Sequence, residues 1–106
     1  MPRYRITADV VFDAEADTRA LGGAVTVALC GHWEHEGECQ WPHYSKLAQQ
    51  GDMQQLIVEF TCPADELDEV VGRISQAIAL GKQCGPDGLE HSWRQCSELS
   101  PAIEIS

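Results

Sequence analysis

The sequence predicts an α+β fold of the ferredoxin-like βαββαβ type. In this two-layer sandwich, one antiparallel sheet carries two helices on one face. Three observations lead to this prediction: apolar and polar residues alternate over 3–12, apolar residues recur at helical spacing over 67–78, and the elements follow the order β-α-β-β-α-β. The 106 residues are predicted to form a single domain, 1–106, with a loose tail over 97–106.

The first half of the chain predicts a strand and then a helix. Asp13 can cap a helix over 14–29, and paired glycines at 22 and 23 would let that helix pack closely on a sheet. The preceding strand, 3–12, places five apolar residues on one face: Tyr4, Ile6, Ala8, Val10 and Phe12.

The second half predicts three strands and one helix. The strands are expected over 44–48, 53–61 and 89–96. The helix is expected over 63–80, because Pro63 suits the first position of a helix and Gly81 suits its end. The helices would each bury one stripe against the same side of the sheet. The other side of the sheet would then expose apolar residues, which a second copy of the chain would cover, so we expect a homodimer.

Charge and composition exclude several classes of partner. The net charge is −10, and the seven Lys and Arg residues are scattered along the chain. Phosphate groups need clustered cations, so we expect no nucleic-acid partner and no membrane partner. The start of the sequence does not resemble a signal peptide, and the five cysteines are an odd number. These features favour a cytoplasmic protein with reduced thiols, and they identify no small-molecule ligand.

The segment 30–43 is the strongest candidate for a functional site. It reads CGHWEHEGECQWPH and concentrates thiol and imidazole groups, which are the ligands that Zn²⁺ prefers. Three glutamates in the same segment would attract a cation. The sequence therefore predicts a divalent-metal site, most simply for zinc, with five candidate ligands: Cys30, His32, His35, Cys39 and His43.

Two other interpretations of this segment stay open. In the first, its tryptophans close it as a structural aromatic loop, and the chain is a metal-free module that binds a ligand or another protein. In the second, Cys30 and Cys39 pair as a disulfide, or Cys39 acts as a nucleophile beside a histidine in a small enzyme. The spacing lacks the paired Cys-x2-Cys of zinc knuckles, which makes the zinc signal less specific. Local spacing alone does not identify a nucleophile, so no catalytic residue is assigned.

The stretch Gly37–Tyr44, GECQWPHY, resembles the Cys…His-Gly-His-x-Tyr region of the pterin-forming synthases of the tunnelling fold. The likeness covers about eight residues, and the His-Gly-His is missing from this chain. No residue role is carried over from it.

Overall fold

The computed structural model describes residues 2–13, 18–30, 41–84 and 88–105. The strands in these residues are β1 (Arg3–Phe12), β2 (His43–Gln50), β3 (Met53–Thr61), β4 (Lys82–Cys84), β5 (Glu90–Gln95) and β6 (Ile103–Glu104). The helices are α1 (Arg19–Cys30) and α2 (Leu67–Leu80).

The strands form one curled antiparallel sheet, a half-barrel, in the order β2-β3-β1-β5-β4, and β6 pairs with β1. The predicted ferredoxin-like two-layer sandwich is therefore wrong: strands dominate the fold, and two of them come from segments without a predicted strand. β4 follows the end of α2 directly. β6 lies in the segment 97–106, for which the sequence predicts a loose tail.

β4 exists because of how α2 ends. Gly81 has a φ of 77°, in the left-handed region, and its amide donates to the carbonyl of Ile78 at 3.2 Å. The carbonyl of Gly81 in turn accepts the amide of Trp93 on β5 at 2.9 Å. The helix end is thus tied to β5, and the next three residues pair with it.

The segment 97–105 is held along β1 by hydrogen bonds that a sequence pattern does not reveal. Serine hydroxyls accept two backbone amides of β1: Thr7 donates to Ser100 Oγ at 2.9 Å and Asp9 donates to Ser97 Oγ at 3.0 Å. The backbone amide of Ser100 also donates to the carbonyl of Thr7 at 2.9 Å. These bonds provide partners for backbone groups of β1 that point away from β3.

Several predicted elements are found with shifted ends. The strands predicted over 3–12 and 53–61 are confirmed as β1 and β3. α2 begins at Leu67 rather than at 63, because Pro63 is extended and a 3-10 turn covers Ala64–Glu66. Part of the helix predicted over 14–29 is present as α1, and residues 14–17 lie outside the described residues.

One core lies between the two helices and the inner side of the sheet. Alternate residues of β1 and β3 point into it, because successive side chains of a strand face opposite sides. Both helices bury an apolar stripe against them and contact each other. The largest fully buried side chains are Trp41, Phe60, Ile6, Leu21, Leu56, Ile74, Ile78, Val10, Val25, Val58, Val70 and Cys62.

The outer side of the sheet, which we call the open face, has a different charge from the rest of the chain. Among the described residues, five of the chain's seven Lys and Arg residues and three Asp or Glu residues lie on it, so its net charge is +2. The net charge of the whole chain is −10, so the other residues together carry −12. The eight charged residues of the open face are Arg3, Arg5, Asp9, Lys46, Glu59, Lys82, Glu90 and Arg94.

No helix in the described ranges is long and apolar enough to cross a bilayer.

Candidate metal centre

The structure describes the two ends of the segment 30–43 and not its middle. Cys30 is the last residue of α1, and its side chain is outside the described part of the molecule. His43 is the first residue of β2 and is fully described. The other three predicted ligands, His32, His35 and Cys39, lie outside the described residues.

Trp41 anchors the second end of the segment in the core. Its side chain is buried, and its indole Nε1 donates to Glu66 Oε1 at 2.9 Å. The guanidinium carbon of Arg73 lies 4.9 Å from the ring centroid, a cation–π distance. The tryptophan therefore fixes the chain just before His43 against the start and the middle of α2.

Arg73 also holds the end of α1. Its Nη1 donates to the carbonyl of Ala28 at 3.2 Å, and its Nη2 donates to Glu69 at 3.4 Å. The last carbonyls of a helix lack partners within the helix and carry partial negative charge, so a guanidinium is favourable there. One side chain thus connects the end of α1 with Trp41 across the base of the segment.

The His43 imidazole has a contact at each ring nitrogen. Nδ1 lies 3.1 Å from the carbonyl oxygen of Trp41, and Nε2 lies 3.1 Å from Thr26 Oγ1 on α1. A carbonyl only accepts, so Nδ1 carries a proton. In the neutral ring Nε2 then holds the lone pair, and the Thr26 hydroxyl donates to it.

The Thr26 hydroxyl has only one hydrogen to offer. Its oxygen also lies 3.0 Å from the carbonyl oxygen of Gly22, which can only accept. At any one time the hydroxyl therefore donates a hydrogen bond either to the carbonyl oxygen of Gly22 or to Nε2 of the neutral His43 ring.

The two described ends lie at the same edge of the fold. Thr26 and Cys30 are four residues apart on α1, so Cys30 follows Thr26 by about one turn, roughly 6 Å along the same helix face. Since Thr26 contacts His43, the last turn of α1 starts next to the first residue of β2.

Cys62 is a poor metal ligand although it follows β3. Its thiol is buried, and burial raises its pKa above the ordinary 9.0, with the nearby carboxylates of Glu66 and Asp65 adding to the effect. Zinc binds the thiolate, and a raised pKa keeps this group protonated at neutral pH. Cys84 and Cys96 are free and exposed.

Within the described residues no three His, Cys, Asp or Glu side chains come together as a metal site. Sequence reasoning missed Thr26, Glu66 and Arg73, which support the base of the segment. The one available signal was the Glu69-x3-Arg73 spacing, which predicts an ion pair on a helix but not the contacts of Arg73 with Trp41 or α1.

Comparisons with family models, curated proteins and solved structures found no match to this chain, so its function has to be argued from its own residues.

Proposed function

We propose that this protein binds a zinc ion through the segment 30–43, and that the ion organises this segment. The observation that carries the proposal is the hydrogen bond from His43 Nδ1 to the carbonyl of Trp41, at 3.1 Å. Histidines that bind zinc through one nitrogen donate the other N–H to a carbonyl or carboxylate, which fixes the ring and its tautomer. His43 has this arrangement, with Nε2 as the ligand atom.

The anchoring of the segment supports the proposal. Trp41, Arg73 and Glu66 hold its ends by contacts that need no metal, so zinc would bind a segment whose ends are already anchored. Thiolates of Cys30 and Cys39, with His32 or His35, would complete a tetrahedral set around His43 Nε2. The site would need reduced thiols, in keeping with a cytoplasmic protein.

The zinc would have a structural role. The five candidate ligands exceed the three protein ligands typical of a catalytic zinc, which keeps a position for water. A full set of protein ligands closes the ion to substrate. We therefore assign no reaction to this site.

A competitive titration tests the proposal. Reduced protein and a chromophoric chelator would share limiting Zn²⁺, and the affinity of the wild type would be compared with that of Cys39→Ser and His43→Gln. We expect each substitution to weaken binding by at least about tenfold. The matched control is Cys84→Ser, at an exposed cysteine on β4, which should bind zinc as the wild type does.

One further variant tests the role of His43 itself. Thr26→Val removes the hydroxyl that competes for Nε2 and keeps the shape of the side chain, so it should leave zinc affinity unchanged or raise it. Affinity should also fall as pH falls, because thiolates and imidazole are protonated. Equal affinities of wild type, Cys39→Ser and His43→Gln would contradict the proposal, as would a loss of affinity in Cys84→Ser of the same size.

A further inference from the structure

β2 lies at one end of the sheet, and its outer edge has no partner strand in the described part of the chain. The orientation of its backbone groups follows from the pairing with β3. The amide of Thr61 donates to the carbonyl of Pro42 at 2.9 Å, so this pair is hydrogen-bonded, and hydrogen-bonded pairs alternate along an antiparallel ladder. The amides and carbonyls of Ser45, Leu47 and Gln49 therefore point away from β3, toward the outer edge.

A cleft lies beside this edge, between the first turns of α1 and the middle of β2. Its volume is about 260 Å³, and it is large enough for an apolar side chain. Leu47 and Leu56 contribute its apolar walls, and Gly22 leaves it open on the helix side, where an added Cβ would meet nothing within 4 Å. Ser45 also lines it.

The Ser45 hydroxyl lies buried beside the cleft. Its oxygen is buried and has no hydrogen-bond partner among the described residues. A buried polar atom without a partner is costly, and most such atoms in folded proteins are paired. A molecule bound at this edge would not reach this buried oxygen and would instead meet the outward backbone groups and the walls of the cleft.

Charge indicates what that molecule is. Arg19 and Lys46 line the cleft, and Lys46 belongs to the open face with its net charge of +2. β2 itself, HYSKLAQQ, contains no acid. A second copy pairing through β2 would therefore bring lysine near lysine without an opposing charge, whereas an acidic strand would complement Lys46.

We propose that the outer edge of β2 binds an extended, acidic polypeptide segment as an added strand, with one of its apolar side chains in the cleft beside α1. The backbone groups of Ser45, Leu47 and Gln49 supply the hydrogen bonds, and the apolar cleft together with Lys46 supplies the selectivity. This binding does not depend on zinc, because none of these groups belongs to the proposed metal site.

The test uses the full chain and a synthetic probe, the capped peptide Glu-Val-Glu-Leu-Glu-Val. Amide hydrogen exchange would be followed by NMR with and without the peptide, at up to about 1 mM. We expect exchange to slow at Ser45, Leu47 and Gln49 and to stay the same at Lys46 and Ala48. The last two are the internal control, because their amides already face β3.

Two modified probes separate backbone pairing from charge. The same peptide methylated on alternate backbone nitrogens loses donors for the edge, and we expect it to bind about tenfold more weakly. A peptide with lysine in place of glutamate should bind more weakly by a similar factor, and Lys46→Glu should reduce this preference. These comparisons use the wild-type protein or a change at an exposed side chain, so they do not depend on a variant that might not fold.

Three results would overturn the proposal. The first is no change in exchange at the three outward amides at the highest peptide concentration. The second is equal binding of the methylated and unmethylated peptides. The third is protection of the same amides without peptide that grows with protein concentration, which would assign the edge to a second copy of this chain.

Discussion

Replacing Trp41 by phenylalanine tests the anchor at the base of the segment 30–43. The change removes the indole N–H that donates to Glu66 at 2.9 Å and part of a ring that is only 2% exposed. A hydrogen bond to a charged group contributes about 1.5–3 kcal/mol, and the lost ring volume adds about 1 kcal/mol. We expect the free energy of unfolding to fall by about 3 kcal/mol, a large share of the total for a domain of this size.

A double-mutant cycle isolates the hydrogen bond. Wild type, Trp41→Phe, Glu66→Ala and the double variant would be unfolded with urea and followed by far-ultraviolet circular dichroism, which does not depend on tryptophan content. We expect a coupling free energy of about 1–2 kcal/mol between the two sites. The matched control is Trp93→Phe, because Trp93 is also buried but donates to the carbonyl of Ile78 at 2.8 Å. Its effect should add to that of Glu66→Ala, and a coupling below about 0.5 kcal/mol for Trp41 would refute the reasoning.

Three further predictions follow from other parts of the fold. Ser100→Ala removes the acceptor of the Thr7 amide at 2.9 Å, so it should lower the free energy of unfolding by about 1 kcal/mol and speed hydrogen exchange at that amide; unchanged exchange would contradict the contact. Burial raises the pKa of the Cys62 thiol above 9.0, so the unfolded chain loses this proton first and stability should fall as pH rises above about 9. Urea midpoints between about pH 8 and pH 10 should therefore drop more for wild type than for Cys62→Ala, and equal drops would count against it. The expected homodimer should show a light-scattering mass near twice the 11.7 kDa of one chain, and a single-chain mass at every micromolar concentration would rule it out.

The long, regular elements could be predicted from the sequence, because their signal is local. The alternation in β1 and the apolar stripe of α2 each repeat over many residues, so neither depends on distant partners. β4 and β6 contain three and two residues, too few for any period to appear. They exist because β5 and β1 offer them unpaired backbone groups, and this information lies far away in the chain. The ferredoxin-like sandwich was therefore predicted wrongly, although the sheet is antiparallel as expected and four of its six strands were predicted.

The candidate site likewise has one part that the sequence predicts and another part that depends on distant contacts. The composition of the segment 30–43 identifies candidate ligands, because the preference of zinc for thiolate and imidazole is a property of residue types. The support at its base is not visible in the sequence. Trp41 meets Glu66 and Arg73 only after α2 packs beside α1, and the contact of His43 with Thr26 requires β2 to return beside that helix.

The central position of β1 has a consequence for the order in which the chain folds. β1 is made first, yet its pairing partners β3, β5 and β6 are made later, and the last of them is more than ninety residues away. β1 must therefore wait for β3 with both edges unpaired, and its other edge stays unpaired until β5 and β6 are added. Contacts between distant residues slow folding, and an exposed strand edge invites pairing with other chains. We therefore expect folding to finish only after synthesis reaches β6, and the nascent chain before that point to be the form most in need of a chaperone.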